Sequence, residues 1–593
     1  MCGIFGYIGS RSDAAKLVLE GLKRLEYRGY DSWGVAVVPE LKSGAGKIVV
    51  KKKAGRIAGA SVSDLPTSSL GFGHTRWATH GGVSDINAHP HLDCTGTLAI
   101  IHNGIIENYE EIKKDLIKKG HHFISQTDTE VAVHLIEEYC KTTMFSKAVQ
   151  KAFNQMEGLN AFIVMNTRER QLIAVRNGSP LVAGFGFGEN YLASDAAALL
   201  PHTKQVYFLE DDQMAIIDDD HIIIFDARTG ARIRPTKQTL TWSVKEAEKG
   251  TYPFFMLKEI YEQPGMIADI AASSSSLAQN LASAIKKSYG TYMIGCGTAS
   301  YAALAGTYFF SKIARRHVNW AIGSEFGYHL DFLTPKSLVI ALSQSGETMD
   351  ILEAVKKAKT KKAQIFAIVN VMGSSLYRMA DYKMLIGAGP EKGVASTKAF
   401  TGKLSHLILL SYALTGSVDK GQKVLTLAAK SAKTVLAPKA VKKIITLAKR
   451  VKGAKHIYVI GRGISYPASL ETALKIKEIS YIHAEGFAAG ELKHGVIALI
   501  EKGTPCIVFA PNDETYGANL AGAMELRARG GFIIGISHKP AEVFDYYIPV
   551  KDAKEATIIP NVIVAQLLAY YLTLERGFDP DMPRNLAKSV TVK

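Results

Sequence analysis

The sequence predicts a two-part fold. A strand-rich, layered α+β part covers residues 1–238, and two copies of one doubly wound α/β domain follow it. Three observations carry this reading. The chain has 593 residues, too many for one hydrophobic core, so two to four domains are expected. The first part is built of short β-type runs punctuated by Gly, Asn and Asp. The second part alternates apolar strands with long amphipathic helices and repeats itself at an offset of 166 residues.

In the first part "GVAVV", "TLAIIHNG", "NAFIVMNT", "QLIAVRNG" and "VYFLEDDQMAIID" read as strands. Two helical patterns interrupt them, "SDAAKLVLEGLKRLEY" at 12–27 and "DTEVAVHLIEEYC" at 128–140. Residues 239–255, "TLTWSVKEAEKGTYPFF", are polar and irregular and read as a linker. Beyond it, "YMIGCGTASYAALAG" (292–306) answers to "YVIGRGISYPASLE" (458–471), each a strand, a Gly-x-Gly and a helix start. "SLVIALSQSGET" (337–348) answers to "TPCIVFAPNDET" (504–515), and "QIFAIVNVMGSS" (364–375) to "GFIIGISHKP" (531–540). Three matched strands in the same order imply a duplicated domain, with expected bounds 256–425 and 426–580 and a tail at 581–593.

The 47% apolar and 21% charged fractions are those of a soluble globular protein. The longest plain apolar stretch, "NVIVAQLLAYYLTL" at 561–574, reads as too short to span a bilayer. No charged segment followed by an apolar one precedes Cys2, so neither a signal peptide nor a lipid-modified cysteine is expected. The five cysteines, Cys2, Cys94, Cys140, Cys296 and Cys506, have no CxxC spacing. That argues against a disulfide framework or a structural zinc site and fits a reducing cytoplasm. The formal net charge is +16, but the basic residues are scattered in short groups without interleaved aromatics. Neither a nucleic-acid nor a membrane partner is expected, and attraction of anionic sugar phosphates is the milder consequence.

Cys2 directly follows the initiator methionine in "MCGIFGYIG". It is either an incidental residue of the first strand or, once Met1 is removed, a thiol and a free α-amino group on one residue. An α-amino group titrates at roughly 7.7–8.0 and a thiol at roughly 8.5. The first can therefore serve as base for the second near neutral pH.

In the second part, Gly-x-Gly after a strand is a weak dinucleotide signal, because Ser300 and Tyr466 stand where the third glycine would be. The surrounding chemistry is hydroxyl-rich: Thr298 and Ser300 in "GCGTAS", Ser343, Gln344, Ser345 and Thr348 in "LSQSGET", Ser396, Thr397 and Lys398 in "GVASTK". One such loop would be an ordinary helix cap. Three favour a phosphate monoester held by hydroxyls and helix N-termini. Lys475 and Glu478 are three apart and share a helical face, with His483, Glu485, Glu491 and His494 close behind. Sugar isomerisation needs one base to move a proton between C1 and C2 and one group to open the ring. Lys588, in the terminal "NLAKSVTVK", carries an amine able to form a Schiff base with a ketone.

Taken together, these motifs resemble the glutamine–fructose-6-phosphate aminotransferase (isomerizing) family, the glucosamine-6-phosphate synthases. "MCGI", "LEYRGYDS", "HTRWATHG", "NAHPH", "HNGIIEN" and "TDTE" resemble its glutaminase half. "KEIYEQP", "LSQSGET", "GVASTKAFT", "KEISYIHAE", "GELKHG" and "PRNLAKSVTV" resemble its isomerase half. The resemblance implies an N-terminal-nucleophile glutaminase of αββα layers followed by two sugar-isomerase (SIS) domains. It implies Cys2 as the nucleophile toward glutamine, with Asn103 and Gly104 as the oxyanion hole. Arg76 and Asp128 match the residues holding the carboxylate and amine of glutamine, and Arg28, Thr79 and His80 match further pocket positions. Trp77 matches the gate of a channel carrying ammonia between the sites. Thr298, Ser343, Gln344, Ser345, Thr348 and Ser396 match the sugar-phosphate pocket. Glu478 matches the isomerising base, Lys475 a helper, and Lys588 the Schiff-base lysine. His494 matches the ring-opening group, lent by a neighbouring subunit, which implies a homodimer. The implied substrates are L-glutamine and fructose 6-phosphate. The implied products are glutamate and glucosamine 6-phosphate, the first step of amino-sugar and UDP-N-acetylglucosamine supply. No metal or organic cofactor is implied.

Two departures stand out. Ala299 replaces a hydroxyl residue in the phosphate loop, which puts one contact in doubt, and Val496 replaces a common proline. Three rival readings were weighed. The histidines within 74–91 could form a metal cluster, but no cysteine or carboxylate pattern supports it. An amidotransferase acting on phosphoribosyl pyrophosphate would need an acidic diphosphate-binding loop, which is absent. A non-enzymatic sugar-phosphate sensor should lack Cys2, Glu478, His494 or Lys588, and all four are present.

Overall fold

The structure, a computed structural model, describes residues 2–40, 46–240, 246 and 248–589. It divides into two units, Met1–Glu248 together with Ala587–Lys593, and Lys249–Leu586.

The first unit is built on two antiparallel sheets of eight and seven strands. In the larger, Gly3–Gly9 lies between Glu189–Ala193 and Leu70–Arg76. In the smaller, Asn160–Asn166 lies between Leu98–Gly104 and Leu172–Asn177. The alternation of side chains along Gly3–Gly9 separates two cores. Phe5 and Tyr7 pack with Val18 and Leu22 of the helix Ala14–Leu25. Ile4 and Ile8 pack with Phe72, Ile163 and Leu172 in the core between the sheets. On the far side, helices Tyr109–Lys118, Asp128–Cys140 and Phe145–Gln155 bury Ile112, Val131 and Phe153 with Phe162 and Val164 of the smaller sheet. The layers therefore run helix, sheet, sheet, helix. Gly21 lets the first helix lie close on its sheet, since a Cβ there would meet the Phe5 ring at 2.4 Å.

Two of these helices were not read from the sequence. Tyr109–Lys118 buries only Ile112 and Leu116, so its apolar stripe is too thin to give a clear helical period. Phe145–Gln155 starts within a few residues of the preceding helix, so its pattern is cut short. The run at 206–218 is two strands rather than one, Gln205–Phe208 and Gln213–Ile217, and they belong to different sheets. Asp212, with φ +60°, sits at the corner between them. Of the expected linker, 241–245 and 247 lie outside the described residues. Thr239 still pairs with Gln205, and the helix Phe255–Ser273 begins at its other end.

The second unit contains two five-stranded parallel sheets. Taken in chain order, the strands of each lie 2-1-3-4-5 across the sheet, the first strands being Thr291–Gly295 and His456–Gly461. Identical order in both sheets is the duplication read from the repeat. In such open sheets, ligands bind where the order reverses, beyond the carboxyl ends of the first and third strands. In the first copy that crevice is edged by the turns after Thr291–Gly295 and Leu338–Ser343. The helix Val418–Val435 runs unbroken across the expected boundary at 425/426. The apolar stretch at 561–574 lies in the helix Ile558–Glu575, which is long and apolar enough to cross a membrane by composition. The window that passes this test is 89% buried inside the protein, where Val562, Ile563 and Leu567 share a core with Ile444 and Ile476.

Candidate active sites

The first site opens beside Cys2, in a small cleft lined by Arg76, Trp77, Asn103 and Asp128. The Cys2 Sγ accepts the backbone N–H of Trp77 at 3.2 Å. The Asn103 Nδ2 donates to the Cys2 carbonyl at 3.1 Å, and Arg28 Nε donates to the same oxygen at 3.3 Å. Arg28 is itself anchored by Asp195 at 3.2 Å, which also accepts the Tyr27 hydroxyl at 2.6 Å. Two elements fixed far apart in sequence thus hold one end of the first strand.

The orientation of the Asn103 amide is set by a histidine the sequence reading passed over. His74 Nε2 lies 3.0 Å from both the His102 carbonyl and Asn103 Oδ1. Both are acceptors, so Nε2 carries the proton and the Asn103 NH₂ turns toward Cys2. Burial pushes His74 down to about 3, so it stays neutral. Its ring stacks on His89 at 4.2 Å, and burial lowers His89 and His91 as well. These histidines form a neutral array, His74 stacked on His89 and His91 edge-on to it. The only usable signal was strand alternation, which puts His74 on the same face as Arg76.

Gly104 has φ +132°, and a Cβ there would stand 2.1 Å from the Leu159 carbonyl oxygen. Only glycine fits. Asp128 opens the helix Asp128–Cys140 and accepts the Ile106 N–H at 2.8 Å. Arg76 is 4% exposed and donates to the carbonyls of His80, Gly81 and Gly82, which folds the loop after the strand over the cleft. Thr79 and His80 line the same cleft.

The second site lies in the crevice of the first parallel sheet. Gly297, φ +52°, precedes the helix that starts at Thr298. The Ser343 hydroxyl accepts the Gly346 N–H at 3.0 Å and lies 3.3 Å from the Thr348 hydroxyl, at the start of the helix Met349–Thr360. The Ser345 hydroxyl accepts the Glu347 N–H at 3.1 Å, and the Gln344 carbonyl accepts the Asn370 N–H at 3.0 Å. Two helix N-termini and a ring of hydroxyls form a cradle for an anion. Ser396 donates to Glu391 at 3.0 Å, and Glu391 caps the helix Lys398–Leu414 by accepting the N–H groups of Thr397 and Ala399. Ala299 packs in the hydrophobic core, whereas Ser300 accepts the Trp320 indole N–H at 3.1 Å.

On the helix Ser465–Ser480, Glu471, Lys475 and Glu478 fall on one face. Lys475, wholly buried, bonds to Glu478 and lies 3.6 Å from Glu471. Glu471 is also wholly buried and accepts from Thr298 Oγ1 at 3.3 Å, joining the two copies of the domain. The sequence reading missed Glu471, although its spacing from Lys475 and Glu478 follows the helical period. Burial raises its carboxyl to about 7. Its folded value thus lies above its unfolded one, and stability falls as pH rises through this interval and levels off above it. The shift corresponds to about 3 kcal/mol. Glu471→Gln should abolish this slope, so the thermal midpoint of wild type relative to the variant should drop between pH 5 and pH 8. A constant difference across that range would refute the assignment.

His494 stands exposed at the end of the short turn Ala489–His494, followed by Gly495 with φ +145°. Lys588 is half-buried and belongs to the segment that groups with the first unit.

A cleft beside Cys2 in one unit and two parallel sheets of identical strand order in the other, the first with a hydroxyl-lined crevice, fit a glutamine-dependent amidotransferase of sugar-isomerase architecture. Comparison with known proteins agrees. The glutamine amidotransferase domain family matches residues 74–201, and the SIS domain family matches 284–411 and 451–576. The chain is 44% identical over 615 aligned positions to the glutamine–fructose-6-phosphate aminotransferase [isomerizing] of Thermococcus kodakarensis, covering all of both chains. It is 40% identical to that of Thermus thermophilus, again over the whole of both chains. The C-terminal domain of the Francisella tularensis glucosamine-fructose-6-phosphate aminotransferase superposes with a TM-score of 0.53 at 33% identity, covering 56% of this chain and all of that one. The chain belongs to the glutamine–fructose-6-phosphate aminotransferase (isomerizing) family.

Proposed function

We infer that this enzyme converts fructose 6-phosphate and L-glutamine into glucosamine 6-phosphate and glutamate. The observation that carries the reading is the pairing, in one chain, of a Cys2 thiol beside a preset amide donor with a hydroxyl-lined crevice bonded through Thr298 to a Glu–Lys–Glu face whose Glu471 and Lys475 are buried.

In this reading the freed α-amino group of Cys2 takes the thiol proton, and the thiolate attacks the glutamine amide carbon. Asn103 and Gly104 donate to the developing oxyanion. Ammonia leaves with the proton, and water hydrolyses the γ-glutamyl thioester to glutamate. Arg76 and Asp128 receive the carboxylate and amine of glutamine, with Thr79 and His80 lining the pocket. Arg28 acts as a positioning residue, because its guanidinium grips the Cys2 carbonyl and Asp195. Trp77 shields the thiol and gates the ammonia, which protonation by water would disarm.

In the isomerase half, Thr298, Ser343, Gln344, Ser345 and Thr348 hold the phosphate, and Ser396 a sugar hydroxyl. His494 of a second subunit opens the ring, and its exposure supports such a donation within a homodimer. The Lys588 amine condenses with the C2 ketone and releases water, and ammonia then displaces the lysine to leave a C2 imine. Glu478 moves a proton from C1 to C2 while the O1 hydroxyl proton passes to the nitrogen, which turns the imine into an amine and C1 into an aldehyde. Lys475 balances the charge of Glu478. Five free cysteines support a reducing, cytoplasmic setting.

The test is an assay of purified protein with both substrates, reading both products. Equal amounts of glutamate and glucosamine 6-phosphate are expected. Glutamate without amino sugar would leave the glutaminase half standing and reject fructose 6-phosphate as acceptor.

A further inference from the structure

Cys94, His121, His134 and Glu137 lie together on the glutaminase unit, away from the chemistry described above. Each offers one ligand atom, and the four atoms lie within 4.8 Å of one another. Cys94 Sγ is 3.7 Å from His121 Nδ1 and 3.5 Å from His134 Nδ1. Glu137 Oε2 is 3.0 Å from each of those nitrogens. Four ligands held tetrahedrally at zinc distances stand roughly 3.3–3.6 Å apart, so the set is already close to the required spacing.

The outer contacts agree. His121 Nε2 faces Glu138 Oε2 at 3.0 Å, and His134 Nε2 faces Glu130 Oε1 at 3.8 Å. The Glu138 carboxylate places the His121 ring proton on Nε2 and leaves its Nδ1 lone pair facing the cluster, the usual arrangement for metal-bound histidine, whereas the His134 Nε2, 3.8 Å from Glu130, makes no hydrogen bond. The alternative, two rings protonated at Nδ1, would crowd both N–H groups and the Cys94 backbone N–H onto the one Glu137 oxygen. The Cys94 sulfur would face the same two N–H groups.

We propose that Cys94, His121, His134 and Glu137 bind a structural Zn²⁺ ion. One thiolate, one carboxylate and two neutral imidazoles neutralise the ion, and the thiol proton passes to solvent on binding. Thiolate and imidazole ligands select zinc over magnesium or calcium, and four protein ligands leave no open position for catalysis. Both histidines are buried, while Cys94 reaches the surface and gives the ion a way in. The ion ties the loop carrying Cys94 and the segment carrying His121 to the helix Asp128–Cys140, the helix that opens on Asp128. This departs from the sequence expectation of no zinc. Cys94 and His121 are 27 residues apart and Cys94 and His134 are 40 apart, so no spacing motif exposes them.

The full-length protein, purified without chelators or metal-affinity resin, should carry about one zinc per chain by mass spectrometry. Its thermal midpoint should fall on treatment with a strong chelator and recover with Zn²⁺ alone. Co²⁺ in place of zinc should give the intense visible bands of a tetrahedral site and a thiolate-to-cobalt charge-transfer band. That band should vanish in Cys94→Ser and persist in Cys140→Ser. Glu138→Gln should weaken zinc binding roughly 10–100-fold. If Cys94→Ser fails to fold, the Co²⁺ spectrum of the wild-type protein decides. A chain that takes up neither ion stoichiometrically, or binds Co²⁺ without a thiolate band, overturns the proposal.

Discussion

Cys2→Ala should abolish glutamate release, with a loss of at least about a thousand-fold, and leave the fold intact. The side chain accepts one N–H, from Trp77, so removing it leaves a single donor at the edge of an open cleft. The Asn103 and Arg28 contacts go to the Cys2 carbonyl and survive the change. The informative companion measurement is fructose 6-phosphate isomerisation without glutamine. That activity is proposed for the isomerase half, which does not use the Cys2 thiol, and should persist in the variant. If glutamate release persists instead, the thiol is not the nucleophile and the α-amino group has no thiol proton to take. If both activities vanish while circular dichroism is unchanged, the two halves are coupled more tightly than two separate sites allow.

The second large effect is expected at Lys475. Its ammonium is wholly buried between Glu471 and Glu478, with Glu471 equally buried. Lys475→Met keeps the length of the side chain but leaves two carboxylates sharing one dry pocket. Breaking a buried pair in this way costs about 3–5 kcal/mol. The variant should lose isomerase and synthase activity and unfold at a lower temperature in its second unit, while glutamine hydrolysis persists. Adding Glu471→Gln should recover stability increasingly as pH rises, because burial holds Glu471 protonated near neutral pH and only its ionised form adds an uncompensated charge beside the partly exposed Glu478. Activity should stay lost if Glu478 is the isomerising base as proposed, since that carboxylate still lacks its cation. No gain in stability from the second substitution would show that Lys475 acts through packing alone.

Both predictions start from residues that could be picked out before any fold was known. Cys2, Glu478 and Lys475 are legible because a thiol directly after the initiator methionine and a charged pair at helical spacing are local patterns. The duplicated domain was legible for a related reason, since a parallel sheet repeats its strand and glycine-rich turn at a fixed offset. Glu471 was harder. An acidic residue on a helix is normally solvated, and nothing local announces that Glu471 is enclosed and bonded to Thr298 from the other copy of the domain. His74 escaped notice similarly, because its role is to bond the His102 carbonyl and orient the Asn103 amide, 28 and 29 positions away.

The sequence by itself determined the chemistry available to this protein: a terminal thiol, hydroxyl loops after parallel strands, and a carboxylate–lysine face. Those depend on residue type and on periods of two or 3.6 residues, which survive without a fold. Only the tertiary structure decided which groups are dry, which proton sits on which nitrogen, and that a cysteine, two histidines and a glutamate converge on one point. Burial and convergence come from chain segments tens to hundreds of residues apart, and desolvation acts on a group only once those segments have closed around it.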